Sequence, residues 1–265
     1  MLDTLLLVGC GNMGGAMLAG WLAAGLAPSR FTVVDPVLAE APAGVTLLRA
    51  LPVGARFDGV LLGVKPQLLG DVAPGVAPFA GPDATVLSIL AGVELATLAA
   101  RFPEARGYVR IMPNLAAAIG RSPVALAAQG LDEAGKAEVA ALMAPLGTPE
   151  WLAEEGLFDV ITALAGSGPA FVYRFIDALA AGAVGLGLDE GQAQRLALAT
   201  VEGAALLAAA SPHAPGALAR RVASPGGTTQ AGLDVLDREA ALARLVAATL
   251  KAASDRSAEM ARAAR

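Results

Sequence analysis

The apolar run Leu5–Val8 leads straight into Gly9-Cys10-Gly11-Asn12-Met13-Gly14, and this junction constrains the fold more than any other stretch of the chain. A short buried strand that ends in three spaced glycines and then opens a helix is the first turn of a βαβ unit. The first glycine permits the tight turn, the second lets another group approach the backbone, and the third allows helix and strand to pack closely. Unsatisfied N–H groups at the helix start favour an anion. Asp35 closes the next apolar run, about 20 residues further on, where an acid meets a ribose hydroxyl. A packing turn in an Ala/Gly-rich chain is the plain alternative. Strand, helix and acid together favour a dinucleotide cradle, with Gly9, Gly11, Asn12, Met13 and Gly14 around the pyrophosphate and Asp35 at the ribose.

Four further short runs rich in Val, Ile and Leu follow: Phe31–Val34, Gly59–Val64, Thr85–Ile89 and Tyr108–Met112. Such runs suit parallel strands covered on both faces. Met13–Ala24, Gln67–Phe79 and Leu95–Phe102 are long enough for crossover helices, so the first half predicts a doubly wound sheet of Rossmann type. Ligands then bind beyond the carboxyl ends of the strands. On that face fall Val64-Lys65-Pro66, Ala91-Gly92 and Pro113-Asn114. Lys65 either approaches the ribose or substrate or is an ordinary exposed lysine. Asn114 either binds a carboxamide or caps the next helix.

The pattern changes near Ala153–Leu157, giving expected domains of 1–155 and 156–265. From Pro169 onward the chain reads as helices, one to about Leu186 and another from the Asp189 cap to about Ala210. Pro212–Pro215 is a break, and two further helices flank Asp237. Several faces are Ala, Leu and Val all round, which predicts an all-α domain packed against a second subunit. Gly166-Ser167-Gly168-Pro169 carries ordinary helix-start signals. Ser224-Pro225-Gly226-Gly227-Thr228-Thr229 concentrates more N–H and hydroxyl donors in one turn than a single cap needs, and can wrap a carboxylate.

Composition narrows the function. Charged residues are 16% of the 265 and apolar residues 55%, which calls for extensive burial, and the net charge is −5 with no basic run. Nucleic acid and anionic membranes are therefore not expected partners. The single cysteine, Cys10, fits a reducing cytoplasm. Thr4–Ser29 carries no charge, as a signal or membrane segment would, but Met1-Leu2-Asp3 has an acid where a signal peptide wants a cation, and the segment is rich in glycine. His213, the one histidine, lies in a Pro-rich turn. No Cys/His cluster predicts a metal and no Ser–His–Asp set is readable, so a chemistry that needs neither a strong base nor a metal fits best; hydride transfer from a cofactor to an already electrophilic C=N bond is one such chemistry.

Gly9–Gly15 (GCGNMGG), Gly63–Pro66 (GVKP), Ser88–Val93 (SILAGV), Arg110–Asn114 (RIMPN), Gly166–Ala170 (GSGPA), Pro215–Leu218 (PGAL) and Ser224–Thr229 (SPGGTT) together resemble the pyrroline-5-carboxylate reductase family over essentially the whole chain. The resemblance implies reduction of 1-pyrroline-5-carboxylate, a cyclic imino acid, to L-proline by NADPH or NADH. It implies a homodimer, often assembled into a larger ring, with helices of two subunits completing each active site. By motif it also implies that Lys65 and Pro66 line the cofactor cleft, and Val64, Ala91, Gly92 and Asn114, on the same ligand face, are expected to bind the cofactor with them. Ser167, Ser224, Gly226, Gly227 and Thr228 would bind substrate, and Thr229 would hydrogen-bond the ring nitrogen as the catalytic residue. Asp35 tilts the cofactor expectation slightly toward NADH. The chain departs from the family pattern at Leu115-Ala116, in place of Thr-Pro, and at His213, one position early. At Ala240-Ala241, in place of Gly-Phe, the departure reads as a packing change. A β-hydroxyacid dehydrogenase-like enzyme is disfavoured because the second half has no lysine before Lys251. A non-catalytic dinucleotide sensor would have little use for the Ser224–Thr229 donors.

Overall fold

A computed structural model describes residues 2–263; the outer ends of the two expected domains, Met1 and 264–265, lie outside them. The chain divides into two compact units, Met1–Gly166 with Ala253–Arg265, and Ser167–Ala252.

The first unit is an eight-stranded sheet: β1 Leu5–Val8, β2 Phe31–Val34, β3 Thr46–Leu48, β4 Gly59–Leu62, β5 Thr85–Ser88, β6 Gly107–Met112, β7 Ser122–Gln129 and β8 Gly147–Trp151. Their spatial order is β3-β2-β1-β4-β5-β6-β7-β8. Every pairing is parallel except β6 with β7. The chain reverses there through a 3₁₀ turn at Leu115–Ile119. The order reverses between β2-β1 and β4, so the switch point of this Rossmann-type sheet lies at the ends of β1 and β4.

Alternation along the strands sends Leu5, Leu7, Phe31, Val33, Leu61 and Leu87 to one face, under helices α1 (Asn12–Ala23) and α4 (Glu133–Met143). Leu6, Val8, Val60, Leu62 and Val86 point to the other, under α2 (Leu69–Val76) and α3 (Leu95–Arg101). Each fully buried aliphatic side chain stabilises by about 1.5–3 kcal/mol. Trp21 of α1 stacks on Phe31 at 5.4 Å and donates its indole N–H to the Leu142 carbonyl, 2.7 Å, tying α1 to α4. Leu5–Val8 is thus a buried strand and Asn12–Ala23 a packed helix, which removes the membrane-span alternative for Thr4–Ser29.

The strands β3, β7 and β8 and the helix α4 add to the elements expected from the sequence. A short turn of helix, α5 (Phe158–Ile161), passes into a π-helical stretch at Thr162–Gly166. In the second unit α6 (Gly168–Gly185) packs on α7 (Glu190–Ala209) around Ala180, Ala193 and Ala197. Asp189 caps α7 by accepting from the Gln192 N–H at 3.0 Å. Three helices follow where two were expected: α8 (Pro215–Val222), α9 (Thr228–Asp237) and α10 (Ala241–Ala263), whose last turns belong to the first unit. Between α9 and α10, Glu239 and Ala240 are left-handed, with φ of 50° and 55°. The missing glycine at Ala240 is therefore a matter of backbone conformation rather than packing.

Candidate functional site

In the first unit the glycine turn is held from both sides of β1. Gly9 donates its N–H to the Val34 carbonyl at 2.9 Å, and Gly63 donates to Val8 at 2.8 Å. Gly9 has φ of 85°, and a Cβ there would stand 2.9 Å from the backbone of Gly63 and Val64. A Cβ at Gly14 would come within 3.2 Å of the Gly9 carbonyl. Gly11 differs, because a Cβ there would meet nothing within 4 Å. Two of the glycines answer to packing within the chain, while Gly11 faces open space beside a helix start with no side-chain cap. That opening, with the exposed Asn12 and half-buried Met13 in the first helical turn, presents an uncapped helix start, the kind of place an anion favours.

Asp35 follows β2 as expected, but its half-buried carboxylate is engaged by backbone amides. One oxygen accepts the Cys10 N–H at 2.9 Å, and the other accepts from Val37 and Leu38 at 2.8 and 2.9 Å. Burial alone would raise its pKa, yet these three amides and the nearby Arg49 outweigh burial and hold the carboxyl below its usual value. Burial, and then the Asp35 charge, push the Cys10 thiol up. The carboxylate staples the glycine turn to the loop after β2.

Val64 and Pro66 are half-buried and Lys65 is exposed after β4, where the chain enters a 3₁₀ turn at Pro66–Leu68. Ala91 is exposed after β5, and beside it Gly92 packs so closely on Ala261 that a Cβ would lie 3.0 Å from the Ala261 Cα. Asn114 is buried and committed at both ends. Its Oδ1 accepts from Ala116 N at 2.9 Å and its Nδ2 donates to the Ala165 carbonyl at 2.9 Å. Of the two roles open to it, the side chain performs the cap.

Sequence reasoning passed over one cluster. Arg110, inside β6, pairs with Glu155 at 2.6 Å, and the two side chains are only 10% and 29% exposed. Its guanidinium lies 4.2 Å over the Phe158 ring, and the same Glu155 oxygen accepts the Leu95 N–H at 2.8 Å. A charge in the middle of an apolar strand was the available signal. The pair fastens the start of α3, just beyond Ala91-Gly92, to the segment that leads into the helices.

In the second unit the Ser224–Thr229 turn forms the N-terminus of α9. Gly226 is left-handed at φ 71° and Gly227 is the N-cap, donating to the Ser224 carbonyl at 2.9 Å. A Cβ on Gly227 would collide with the Ser224 hydroxyl. No side chain caps the helix, and Ser224, Thr228 and Thr229 are exposed, so N–H groups and hydroxyls face outward together. Ser167 directly precedes α6 and its side chain makes no cap. His213 is exposed and its Nε2 lies 2.8 Å from Arg221 Nη1, as befits a surface residue.

The family model described as pyrroline-5-carboxylate reductase dimerisation matches residues 155–260. Along 262 residues the chain is 36% identical to the pyrroline-5-carboxylate reductase of Pseudomonas aeruginosa, covering 96% of this chain and 95% of that one. The solved pyrroline-5-carboxylate reductase of Coxiella burnetii superposes with a TM-score of 0.90 at 29% identity, covering 98% of each chain. The Plasmodium falciparum pyrroline carboxylate reductase, solved with NADP bound, does so with a TM-score of 0.83 at 25% identity, again over 98% of each. With relatives matched at this identity over nearly its full length, the chain belongs to the pyrroline-5-carboxylate reductase family of NAD(P)H-dependent oxidoreductases of proline biosynthesis.

Proposed function

We propose that the protein reduces the C=N bond of 1-pyrroline-5-carboxylate to give L-proline, with the Ser224–Thr229 turn as its carboxylate site. The observation that carries this reading is the exposed, uncapped start of α9, where hydroxyls and N–H groups converge in a turn, 224–229, that has no cationic residue of its own. Such a turn satisfies a carboxylate through neutral donors. Ser224, Gly226, Gly227 and Thr228 hold that group, Ser167 adds a contact, and the Thr229 hydroxyl holds the ring nitrogen. The reduced nicotinamide supplies the hydride. The imine carbon receives it, and the nitrogen, already protonated in the imine, keeps its proton and its ring bonds and becomes the secondary amine of the product. Gly9, Gly11, Asn12, Met13 and Gly14 cradle the pyrophosphate, while Val64, Lys65, Pro66, Ala91 and Gly92 line the nicotinamide end. Asp35 and Asn114 serve the cofactor indirectly, by fixing the glycine turn and the turn after β6.

We assign residues 1–155 to dinucleotide binding and 156–265 to substrate binding and dimerisation, a functional division that differs from the compact units, which part between Gly166 and Ser167 and count the chain from Ala253 with the first. The start of the matched dimerisation region at 155 supports that division. The helical run 155–185 is long and apolar enough to cross a membrane by length and composition. Its place within the dimerisation match supports burial against a second subunit instead. A homodimer, or a ring of such dimers, is the working form, and one cysteine in the whole chain supports a cytoplasmic setting.

Replacing Thr229 tests the site. Thr229→Ala is expected to lower kcat/KM for pyrroline-5-carboxylate about tenfold to a hundredfold, since a charge-assisted hydrogen bond is worth roughly 1.5–3 kcal/mol, while NAD(P)H affinity stays within twofold. Unchanged turnover would remove Thr229 from the reaction.

A further inference from the structure

Arg49 is the first residue after β3, and Asp35 the first after β2. The two strands are parallel with Val34 opposite Leu48, so both residues emerge side by side at the carboxyl edge. In a doubly wound sheet the ribose of the adenosine half lies at the end of the second strand. The half-buried Asp35 carboxylate accepts three backbone amides. The guanidinium of Arg49 is spread over the same loop from outside. Its Nη1 donates to the carbonyls of Asp35, at 3.0 Å, and Leu38, and its Nη2 donates to Ala39 at 3.1 Å. A guanidinium has five N–H donors in a fixed fork, so these bonds leave Nε–H and one Nη2–H unspent on an exposed, permanently charged group. Glu40, the acid that follows, is exposed and takes no part in the clamp.

Resting on the nicotinamide-dependent reading above, we propose that Arg49 is the specificity residue for the 2′-phosphate, and that the protein prefers NADPH to NADH. The slight lean toward NADH assumed an Asp35 carboxylate aimed at the ribose. With three backbone amides on that carboxylate and Arg49 beside it, the group at this edge with N–H donors still free is a cation. Arginine suits the task because its fork reads phosphate oxygens by direction as well as charge. The three carbonyls also hold it in place before the ligand arrives, which lowers the ordering cost of binding.

Binding without substrate separates this proposal from the reductase reading. Fluorescence titration of the full-length protein with NADPH and with NADH gives both dissociation constants, and 2′,5′-ADP against 5′-AMP as competitors isolates the phosphate. Wild type is expected to bind NADPH at least tenfold more tightly than NADH. Arg49→Met should lose about tenfold to a hundredfold in NADPH affinity while NADH stays within twofold. Arg49→Lys keeps the charge without the fork and should fall between them. A wild type that favours NADH, or an Arg49→Met that leaves the NADPH:NADH ratio unchanged, overturns the proposal and leaves the reductase reading standing. If both nucleotides weaken equally in Arg49→Met, the clamp serves loop structure only and the proposal also fails. A wild type that binds neither nucleotide overturns both.

Discussion

At Ala240 the backbone takes φ of 55°, next to Glu239 at 50°, and neither residue is a glycine. A left-handed conformation costs an L-residue about 1–2 kcal/mol, part of which glycine would return to the unfolded state as entropy. Ala240→Gly is therefore expected to stabilise the protein by about 0.5–1 kcal/mol, read as a higher urea midpoint at fixed protein concentration with an unchanged slope. A lower midpoint would mean that the bend between α9 and α10 is relaxed as it stands. The substitution was visible in the sequence, but the dihedral that gives it meaning was not. Asp35 and Asn114 teach the same lesson. Residue type and position along the chain were legible, whereas the direction of each side chain depends on which backbone N–H groups and carbonyls the neighbouring loops bring within reach. For Asp35 those are Cys10, Val37 and Leu38; for Asn114, Ala116 and Ala165.

Within one turn, between β1 and α1, two glycines do separate jobs. Gly9 answers to its own backbone, with a left-handed φ and Gly63 and Val64 close by, while Gly11 answers to open space. Gly9→Ala should thus destabilise the protein by on the order of 2–3 kcal/mol, whereas Gly11→Ala should leave the melting temperature within a degree or two and weaken nicotinamide binding. Thermal melts and nucleotide titrations on the same two variants check this. Loss of stability in Gly11→Ala, or none in Gly9→Ala, would reverse the assignment. The strands with continuous Val, Ile and Leu runs were readable because burial on both faces leaves that signature. The others leave none. β3 is three residues long at an edge, β7 carries Pro123 and three alanines, and β8 carries Pro149 and Glu150. β3 and β8 are the sheet's edges, where one side of the ladder is unpaired and proline and polar residues are tolerated, while β7 lies between β6 and β8 with Pro123 second in the strand, near its start.

On the scale of the molecule, the two units differ in what they can bury alone. The first closes aliphatic layers over both faces of its sheet. The second has only Ala180, Ala193 and Ala197 at its centre, with Tyr173, Phe175, Leu196, Leu198, Leu206 and Leu207 among its exposed apolar side chains. An apolar surface of this kind, in a region matched to a dimerisation family, marks a subunit interface. Light scattering at micromolar protein should find no monomer, and a stable active monomer would contradict the interface. The all-round apolar helices announced this in the sequence. The central claim is the reaction itself, hydride transfer to the imine carbon of a cyclic imino acid. Its most direct test uses NADPH deuterated at the transferable position of the nicotinamide, incubated with pyrroline-5-carboxylate and the wild-type protein, with the proline formed analysed by mass spectrometry. The account predicts proline carrying one deuterium at the former imine carbon, in step with the NADPH consumed. NADPH oxidation without proline, or proline without the label, would contradict it.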